Sequence, residues 1–371
     1  MKIALIHYAY PPIIGGVERV MEEHARLFIK HGHGVTVLCQ RGGEAHHTGL
    51  RVVQLPAEDS MDAQAAALRA GLAGAEIVLV HNVMTMPFHA ALAQALEAVA
   101  AERPTVRFVA WIHDVAACNP DLAPVPEWAR RPHPGFSYVA VSELRRRQWR
   151  ETAGVESVVI PNGVDPARVL GLPEKLAAFA ERHALLDGRT ILLHPTRLLR
   201  RKNVECSLAV VAELNRRGHR ATLLITGAAD PHNAASASYA AWLAAEQQRL
   251  GADAHFLAAQ FPIGDEELAG LYHLADALIF PSRQEGFGLP VLEAALHRLP
   301  AFCSDIEVLR ELPAAAVERF SLEEQASAIA EKIATALEKD PRWKARREVL
   351  TGYGWGAVYE RWLGPLLLGK R

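Results

Sequence analysis

Short, continuous apolar runs alternate with longer helical patterns along this chain, and this alternation constrains the fold more than any other feature. The runs are rich in Val, Ile and Leu: Ile3–His7, Val35–Cys39, Ile77–Val80, Phe108–Ile112, Tyr138–Val141, Ile191–His194, Leu223–Thr226 and Ala277–Phe280. An unbroken apolar run is typical of a strand buried on both faces, as in a parallel sheet covered by helices. The sequence therefore predicts an α/β protein.

A weak internal repeat indicates two similar halves. Residues 32–38 read GHGVTVL and residues 218–224 read GHRATLL, and each segment follows a basic helix end and leads into a strand. In both places we expect the helix to stop at a glycine, where a left-handed backbone costs little. Because each segment follows the first strand and helix of its half, two Rossmann-like domains are the economical explanation.

The 371 residues of the chain are enough for two domains. Pro and Gly residues in the segment IPNGVDPARV, residues 160–169, indicate the boundary between them. We predict an amino-terminal domain over 1–165 and a carboxy-terminal domain over 166–353. Residues 354–371 are predicted to form a helix that packs back onto the first domain, since Trp355, Val358 and Trp362 share one helical face.

Charge and cysteine content exclude several classes of protein. A formal net charge of −2 lacks the broad positive field that non-specific nucleic-acid binding requires, so we expect no nucleic-acid partner. The four cysteines lie far apart without a CxxC pair, which argues against a disulfide framework and a structural metal. No targeting segment and no apolar run near the ~18 residues of a membrane span is present. We expect a cytoplasmic protein, soluble or peripheral at the inner membrane face.

Three candidate site residues lie in the first loop. Gly15 and Gly16 precede a predicted helix, where backbone N–H groups can approach a phosphate closely; a tight strand-to-helix turn is the alternative. They do not form GxGxxG, so the nicotinamide-cofactor fingerprint is missing. Glu18 either complements the helix dipole or faces an acceptor hydroxyl.

Another candidate, His113, follows the strand Phe108–Ile112, at the sheet edge where ligands bind. It either hydrogen-bonds a sugar hydroxyl or has a structural role.

Basic residues follow the strand Ile191–His194. Arg197 and Lys202 are five residues apart, and the segment 196–220 contains seven basic residues but only two acidic ones. The planar fork of Arg and the compact charge of Lys could together neutralise a departing diphosphate. A solvated helix start is the alternative, mainly for Arg200 and Arg201.

The segment FPSRQEGFGLPVLEAA, residues 280–295, is the most informative part of the sequence. Glu285 lies on a loop, and a helix is predicted to begin near Pro290, at a favourable first position for proline. Loop amides at this helix start can bind phosphate or sugar oxygens, and Glu293 one turn later can accept hydrogen bonds from a cis-diol.

These motifs resemble the signature of retaining glycosyltransferases of the GT-B fold, particularly glycosyltransferase family 4. The resemblance rests on EGFGLPVLE, which contains Glu285 and Glu293, on the spacing of Arg197 and Lys202, and on the ordered matches GGVE, HD, IPNGVD and TG. It covers residues 3 to about 310. It implies two Rossmann-like domains whose parallel sheets face an interdomain cleft.

The resemblance also implies roles for individual residues. Glu293 would bind the nucleotide ribose, and Arg197 and Lys202 would stabilise the diphosphate leaving group. His113 would contact the donor sugar near the reacting carbon, and Gly227 would line the nucleotide pocket. Glu285 would hold the donor sugar together with the backbone amides of Gly286, Phe287, Gly288 and Leu289. No metal or other cofactor is expected, because the basic pair and helix dipoles supply the positive charge.

The resulting hypothesis is a metal-independent, retaining hexosyltransferase. Its donor would be a nucleotide diphosphate sugar, with UDP-glucose or GDP-mannose preferred, and its acceptor a sugar, a small molecule or a lipid-linked group. A nucleotide-sugar epimerase of the same fold and a non-catalytic nucleotide-binding module are the alternatives. The nucleotide base would be read by backbone contacts around residues 257–261.

Three segments depart from the pattern or add to it. His194-Pro195-Thr196 replaces the usual glycine before Arg197, which could narrow the donor pocket. A polar insert, residues 227–239 with Asp230 and His232, is either a solvated loop or part of the site. Arginines and tryptophans at 128–150, set against Glu143 alone, form either a solvated helix face, a site for an anionic acceptor or a contact with anionic lipid.

Overall fold

The strands of the computed structural model form two separate, all-parallel sheets of seven and six strands. The structure describes residues 1–44, 47–57, 60–228, 234–313, 315 and 317–370. The chain divides into one unit made of Met1–Gly163 and Trp355–Arg371 and a second unit made of Val164–Gly354. We call them the amino-terminal and carboxy-terminal units.

The sheet of the amino-terminal unit has the strand order β3-β2-β1-β4-β5-β6-β7. Its strands are β1 Lys2–Ile6, β2 Gly34–Cys39, β3 Leu50–Gln54, β4 Ile77–His81, β5 Arg107–Ile112, β6 Phe136–Ala140 and β7 Val158–Val159. The central strands are buried throughout, because successive side chains enter cores on opposite faces of the sheet. In β1, Ile3 and Leu5 belong to one core, and Ala4 and Ile6 belong to the other. This two-sided burial explains the unbroken apolar runs.

Helices cover both faces of this sheet. The unit's main helices are α1 Gly16–Lys30, α2 Met61–Gly71, α3 Ala90–Glu102 and α4 Glu143–Ala153. Apolar residues of α1 belong to the core that contains Ile3 and Leu5, and those of α2, α3 and α4 belong to the other core. The carboxyl ends of β1, β4 and β5, which are neighbours in the sheet, carry His81 as the last residue of β4, and His7 and His113 directly after β1 and β5.

The carboxy-terminal unit repeats this architecture with the strand order β10-β9-β8-β11-β12-β13. Its strands are β8 Thr190–His194, β9 Ala221–Ile225, β10 Ala254–Phe256, β11 Ala277–Phe280, β12 Ala301–Ser304 and β13 Val317–Phe320. Its helices are α5 Pro166–Val169, α6 Glu174–Arg182, α7 Val204–Arg216, α8 Ala234–Leu250, α9 Asp265–Leu274, α10 Leu289–Leu296, α11 Glu307–Arg310, α12 Ala326–Lys339 and α13 Pro341–Tyr353.

The internal repeat is confirmed as a shared backbone feature. Gly32 and Gly218 follow α1 and α7 and have φ values of 78° and 88°. Both therefore lie in the left-handed region, and each leads into the second strand of its unit. The predicted α/β class and the two parallel sheets are confirmed.

The tail after the carboxy-terminal unit packs on the amino-terminal unit. It consists of α14 Trp355–Val358, a π-helical turn Tyr359–Leu363 and α15 Gly364–Leu367. Trp355 is 3% exposed and belongs to the same core as α1. Arg107 donates to the carbonyls of Leu366 and Leu367 at 2.8 and 3.0 Å, which satisfies the end of α15.

Candidate functional site

The carboxyl ends of β8 and β11 lie side by side in the sheet of the carboxy-terminal unit. β8 ends at His194 and β11 ends at Phe280, and the two strands pair in parallel. In open parallel α/β sheets, ligands bind at this edge, where loops leave the strands. The loops after β8 and β11 carry Arg197, Lys202 and Glu285, so the sheet topology brings these candidates to one place.

Lys202 and Glu285 form a largely buried ion pair at this edge. Nζ of Lys202 donates to Oε1 of Glu285 at 2.5 Å, and the side chains are 13% and 7% exposed. The ammonium also lies 5.3 Å from the centroid of the Phe280 ring. Leaving either charge without a partner in such a shielded place is costly. An anionic ligand of Lys202 must therefore share the ammonium with Glu285 or replace it.

Asn203 holds the two loops together. Its backbone has a φ of 55°, and its side chain is buried. The side-chain amide donates to the carbonyl of Pro281 at 3.1 Å and accepts from Arg283 at 3.0 Å. Nothing in the sequence singles out Asn203, because its role depends on loops that are distant in sequence.

The backbone at Arg197 is fixed by Gly227. A Cβ atom on Gly227 would lie 2.6 Å from Cα of Arg197 and closer still to the carbonyl oxygen of Thr196. The loop after β8 and the turn after β9 therefore touch backbone to backbone, which only glycine permits. The Arg197 side chain is exposed, and none of the described residues forms an ion pair with it.

Free backbone amides surround the start of α10. Within the described part of the chain, the amides of Gly286, Phe287, Gly288 and Leu289 donate no hydrogen bond to another group. The side chains of Phe287 and Leu289 are more than half exposed. Unpaired N–H groups at a helix start attract phosphate and sugar oxygens. The arrangement is therefore suited to the donor-binding role that the sequence predicts.

Glu293 has a partner that the sequence analysis missed. Oε2 of Glu293 accepts from the Tyr272 hydroxyl at 2.6 Å, and the Tyr272 ring stacks on His297 with centroids 5.0 Å apart. Burial and the neighbouring Glu293 carboxylate raise the pKa of Tyr272, so the phenol remains a hydrogen-bond donor. Tyr272 thus orients one oxygen of Glu293 and leaves the other for a ligand.

An apolar cavity of about 300 Å³ lies beside Gly227. The described residues that line it include Leu198, Ala228, Ala240 and Phe256. The 3₁₀ turn Leu257–Ala259, within the segment predicted to read the base, contributes its alanines to the wall. A planar, weakly polar group such as a nucleobase is suited to these surroundings.

The departure from the family pattern at His194 can be located in the structure. His194 is fully buried and its Nδ1 lies 3.0 Å from Oγ of Ser207, so its side chain belongs to the core beneath the site. Burial, with a smaller contribution from the charge of Lys202, lowers the pKa of His194 to about 3.

In the polar insert, the candidates Asp230 and His232 lie outside the described residues. The loop prediction is wrong for the end of the insert, because α8 begins at Ala234.

In the amino-terminal unit, Gly15 precedes α1 and Gly16 is its first residue. Glu18 lies in the first turn and is buried, and its Oε1 is 3.7 Å from Nε2 of His7. The close contact with His7 lowers the pKa of Glu18 and outweighs the opposite effect of burial. Glu18 is therefore a carboxylate at neutral pH, beside the strand end that carries His7.

His113 is held rigidly at the end of β5. The side-chain oxygen of Asn82 accepts from the backbone amides of His113 and Asp114 at 3.2 and 2.9 Å. Arg145 donates to the His113 carbonyl at 3.0 Å and to Oδ1 of Asp114 at 2.7 Å. Burial lowers the pKa of His113 to about 3, so the imidazole is neutral at pH 7. The strand-end rule that singled out His113 also applies to Asn82, which the sequence analysis overlooked.

The basic segment 128–150 carries less free charge than its sequence indicates. Four arginines pair with carboxylates: Arg131 with Glu97, Arg145 with Asp114, Arg146 with Glu143 and Arg150 with Glu156. Trp149 is fully buried. Within the segment Glu143 is the only acidic residue, and the other three carboxylates come from outside it. This pairing lowers the free positive charge that contact with anionic lipid requires.

Across the described ranges given above, no group of three or more His, Cys, Asp or Glu side chains is placed to hold a metal ion. No described helix is long and apolar enough to cross a membrane.

Two all-parallel α/β units in one chain fit the GT-B architecture that the motifs predict. The sequence pattern of Glycosyltransferase Family 4 matches residues 14–168, and that of Glycosyl transferases group 1 matches residues 177–351. The chain belongs to this family of GT-B glycosyltransferases, which confirms the resemblance drawn from the motifs.

Relatives of known activity match along most of the chain. It is 23% identical over 360 residues to mannosylglucosylglycerate synthase of Thermotoga maritima, covering 84% of this chain and 82% of the relative. It is 28% identical over 353 residues to glycogen synthase of Mycobacterium tuberculosis, covering 84% and 80%. The solved structure of sucrose-phosphate synthase from Thermosynechococcus elongatus aligns over 100% of this chain and 98% of that chain, with 20% identity and a TM-score of 0.41. The sequence relatives span both units.

Proposed function

We propose that this glycosyltransferase is a metal-independent, retaining hexosyltransferase that uses a nucleotide diphosphate sugar. One observation carries the proposal: Lys202 and Glu285 meet at the carboxyl ends of neighbouring strands, beside the free amides that begin α10. Lysine and amide N–H groups are suited to a diphosphate, and the carboxylate and amides to sugar hydroxyls. The names of the two sequence relatives support a glucosyl or mannosyl donor, as in UDP-glucose or GDP-mannose.

In the proposed reaction, the bond between the anomeric carbon and the diphosphate oxygen breaks, and its electron pair leaves with the diphosphate. The acceptor oxygen bonds the anomeric carbon on the same face, and its proton passes to the departing phosphate. Lys202 and Arg197 stabilise the charge that develops on the leaving group, which is the task a metal ion performs in other enzymes. The donor's anomeric configuration is retained.

Other residues would bind the substrates. Glu293, oriented by Tyr272, would accept hydrogen bonds from the ribose diol, and the cavity beside Gly227 would take the base. In the amino-terminal unit, His113 would donate to a sugar oxygen and the Glu18 carboxylate would accept from an acceptor hydroxyl. Both are held at the carboxyl edge of that unit's sheet.

The first test is donor binding followed by product detection. UDP-glucose or GDP-mannose should raise the melting temperature of the full chain, since a ligand at 100 times its Kd stabilises the native state by about 2.7 kcal/mol. Incubation with an acceptor library should then give a glycosylated product of retained configuration. An isomerised donor without transfer would indicate the epimerase, and binding without turnover would indicate the non-catalytic module.

The same assay tests the metal-independent mechanism. We expect turnover to be unchanged by EDTA, because the basic side chains and helix amides supply the positive charge. Activity that EDTA abolishes and Mg²⁺ restores would contradict the mechanism.

Tyr272→Phe tests the orientation of Glu293. We expect KM for the donor to rise about five- to tenfold with kcat within about twofold, because one hydrogen bond that positions a ground-state contact is lost. Steady-state kinetics with varied donor measures both constants. Tyr353→Phe, which changes an exposed tyrosine of α13, is the matched control and should leave KM unchanged. A lower kcat at constant KM for Tyr272→Phe would assign this tyrosine to the chemical step instead.

A further inference from the structure

His81 is a buried histidine that the proposed chemistry does not use. It ends β4, is fully buried, and stacks on Trp111 at an interplanar angle of 24°. Its Nδ1 lies 3.1 Å from Nε2 of His113. Its other nitrogen, Nε2, is buried and has no hydrogen-bond partner among the described residues. This asymmetry bears on where the protons of both rings lie.

Only one proton can lie between the two facing nitrogens of neutral rings. In the first arrangement, Nδ1–H of His81 donates to Nε2 of His113, Nε2 of His81 is bare, and the proton of His113 is on Nδ1. In the second, Nε2–H of His113 donates to Nδ1 of His81, and the proton of His81 is on its buried Nε2. Nδ1 of His113 is therefore a hydrogen-bond donor in the first arrangement and an acceptor in the second.

Burial discriminates between the two arrangements. The second places an N–H donor of His81 where none of the described groups accepts it, and a buried unsatisfied donor is costly. The first leaves only a bare ring nitrogen there, and its remaining donor, Nδ1–H of His113, is not among the fully buried, unpartnered atoms. The first arrangement is therefore the more stable one.

The surroundings keep both rings neutral. Burial lowers the pKa of His81 well below its usual value, and the nearby His24, His113 and His7 lower it further. His113 is lowered to about 3 by burial, with smaller effects of His24 and His7 that Glu18 opposes. A neutral pair with one shared proton is thus maintained at physiological pH.

We propose that His81 is a positioning residue: its Nδ1–H bond to Nε2 of His113 fixes the tautomer of His113 so that Nδ1–H is a donor. Nε2 of His113 is occupied by this bond, and Nδ1 is neither bonded to a described residue nor fully buried, so Nδ1 is the nitrogen left to bind a ligand. It donates to a sugar oxygen and cannot act as a base. The identity of that ligand rests on the proposed function, whereas the tautomer does not.

The direct test is the protonation pattern of the rings in the full-length protein. A long-range ¹H–¹⁵N correlation spectrum of the histidine-labelled chain distinguishes protonated from bare ring nitrogens. Spectra of His81→Asn and His113→Asn assign the two residues by the signals that disappear. We expect the proton of His113 on Nδ1 and that of His81 on Nδ1. A proton on Nε2 of either ring would overturn the proposal.

Two variants of His81 provide the functional readout. His81→Asn places an amide N–H near the former Nδ1, so it should keep the His113 tautomer and hold kcat within about threefold. His81→Phe keeps a flat ring against Trp111 but has no N–H group, so the tautomer of His113 should no longer be fixed. We expect kcat to fall on the order of tenfold, with KM for the sugar donor little changed. Melting temperatures show whether both variants fold.

The outcomes separate this inference from the proposed function. If the spectra show the expected tautomer but no acceptor is glycosylated, the proton assignment stands and the function fails. If transfer occurs and His81→Phe retains both the tautomer and kcat, the positioning role is wrong while the function stands. Equal losses in His81→Asn and His81→Phe, with unchanged melting temperatures, would also contradict the role of the donor bond.

Discussion

Replacing Lys202 with methionine is expected to lower kcat by about 10²–10³-fold with a much smaller change in donor KM. The charge of Lys202 contributes most when the diphosphate departs, so its loss should affect the transition state more than the bound donor. Methionine retains the length of the side chain and its packing near Phe280. Steady-state turnover of the donor, with product measured directly, gives both constants.

A loss of turnover in Lys202→Met must be distinguished from a loss of stability. The variant leaves Glu285 without its closest partner, so its melting temperature should fall, although Arg201 lies 3.6 Å away and can pair with the carboxylate. The double variant Lys202→Met, Glu285→Gln removes that unpaired charge and should recover stability without recovering kcat. Arg216→Met is the charge-matched control, because Arg216 ends α7 with a 64% exposed side chain. Turnover of Lys202→Met within a few-fold of the parent would contradict the diphosphate assignment.

Gly227→Ala is expected to destabilise the carboxy-terminal unit by about 3 kcal/mol and to lower kcat about 10²-fold. The added methyl group would meet the backbone of Thr196 and Arg197, which cannot rotate away as a side chain would. The loop after β8 must therefore move, and Arg197 moves with it. Chemical denaturation measures the stability, and donor kinetics at a temperature well below the melting point measures the site.

Gly352→Ala is the matched control for this substitution. Gly352 lies in α13 of the same unit. Apart from its neighbours in that helix, no atom of the described residues lies within 4 Å of a Cβ atom placed there. Alanine is the better helix former, so stability should stay constant or rise by up to about 1 kcal/mol. If Gly227→Ala behaves like this control, the close approach of the two backbones does not constrain the site.

Strand prediction succeeded where burial is two-sided. All eight predicted strands are present within one or two residues at their ends, because continuous apolar runs report burial on both sheet faces. β3 and β13 were missed since their sequences, LRVVQ and VERF, interrupt the apolar run with charged or polar residues. β12 is fully buried, but its sequence AFCS lacks the Val, Ile and Leu that marked the other runs.

The candidate site was predictable as a set of residues but not as a set of contacts. The strand-end rule placed Glu285 and Lys202 at the same kind of edge, but their pairing depends on β8 and β11 being neighbours. Tyr272 and Asn203 carried no sequence signal, because both act through hydrogen bonds to residues that are distant in sequence. The free charge of the basic segment 128–150 could not be predicted for the same reason, since its partners Glu97 and Asp114 come from outside it.

The tail has a consequence for how the protein is made. Residues 1–163 are synthesised first, but their unit is completed by Trp355 and the residues after it, which follow the whole of Val164–Gly354. The carboxy-terminal unit is continuous and can fold as soon as its own residues are available, since domains generally fold as units. The amino-terminal unit cannot complete its core before the residues from Trp355 onward are synthesised, so the surface under Trp355 and Val358 stays uncovered until then. The half of the enzyme that is translated first is therefore the half that finishes folding last.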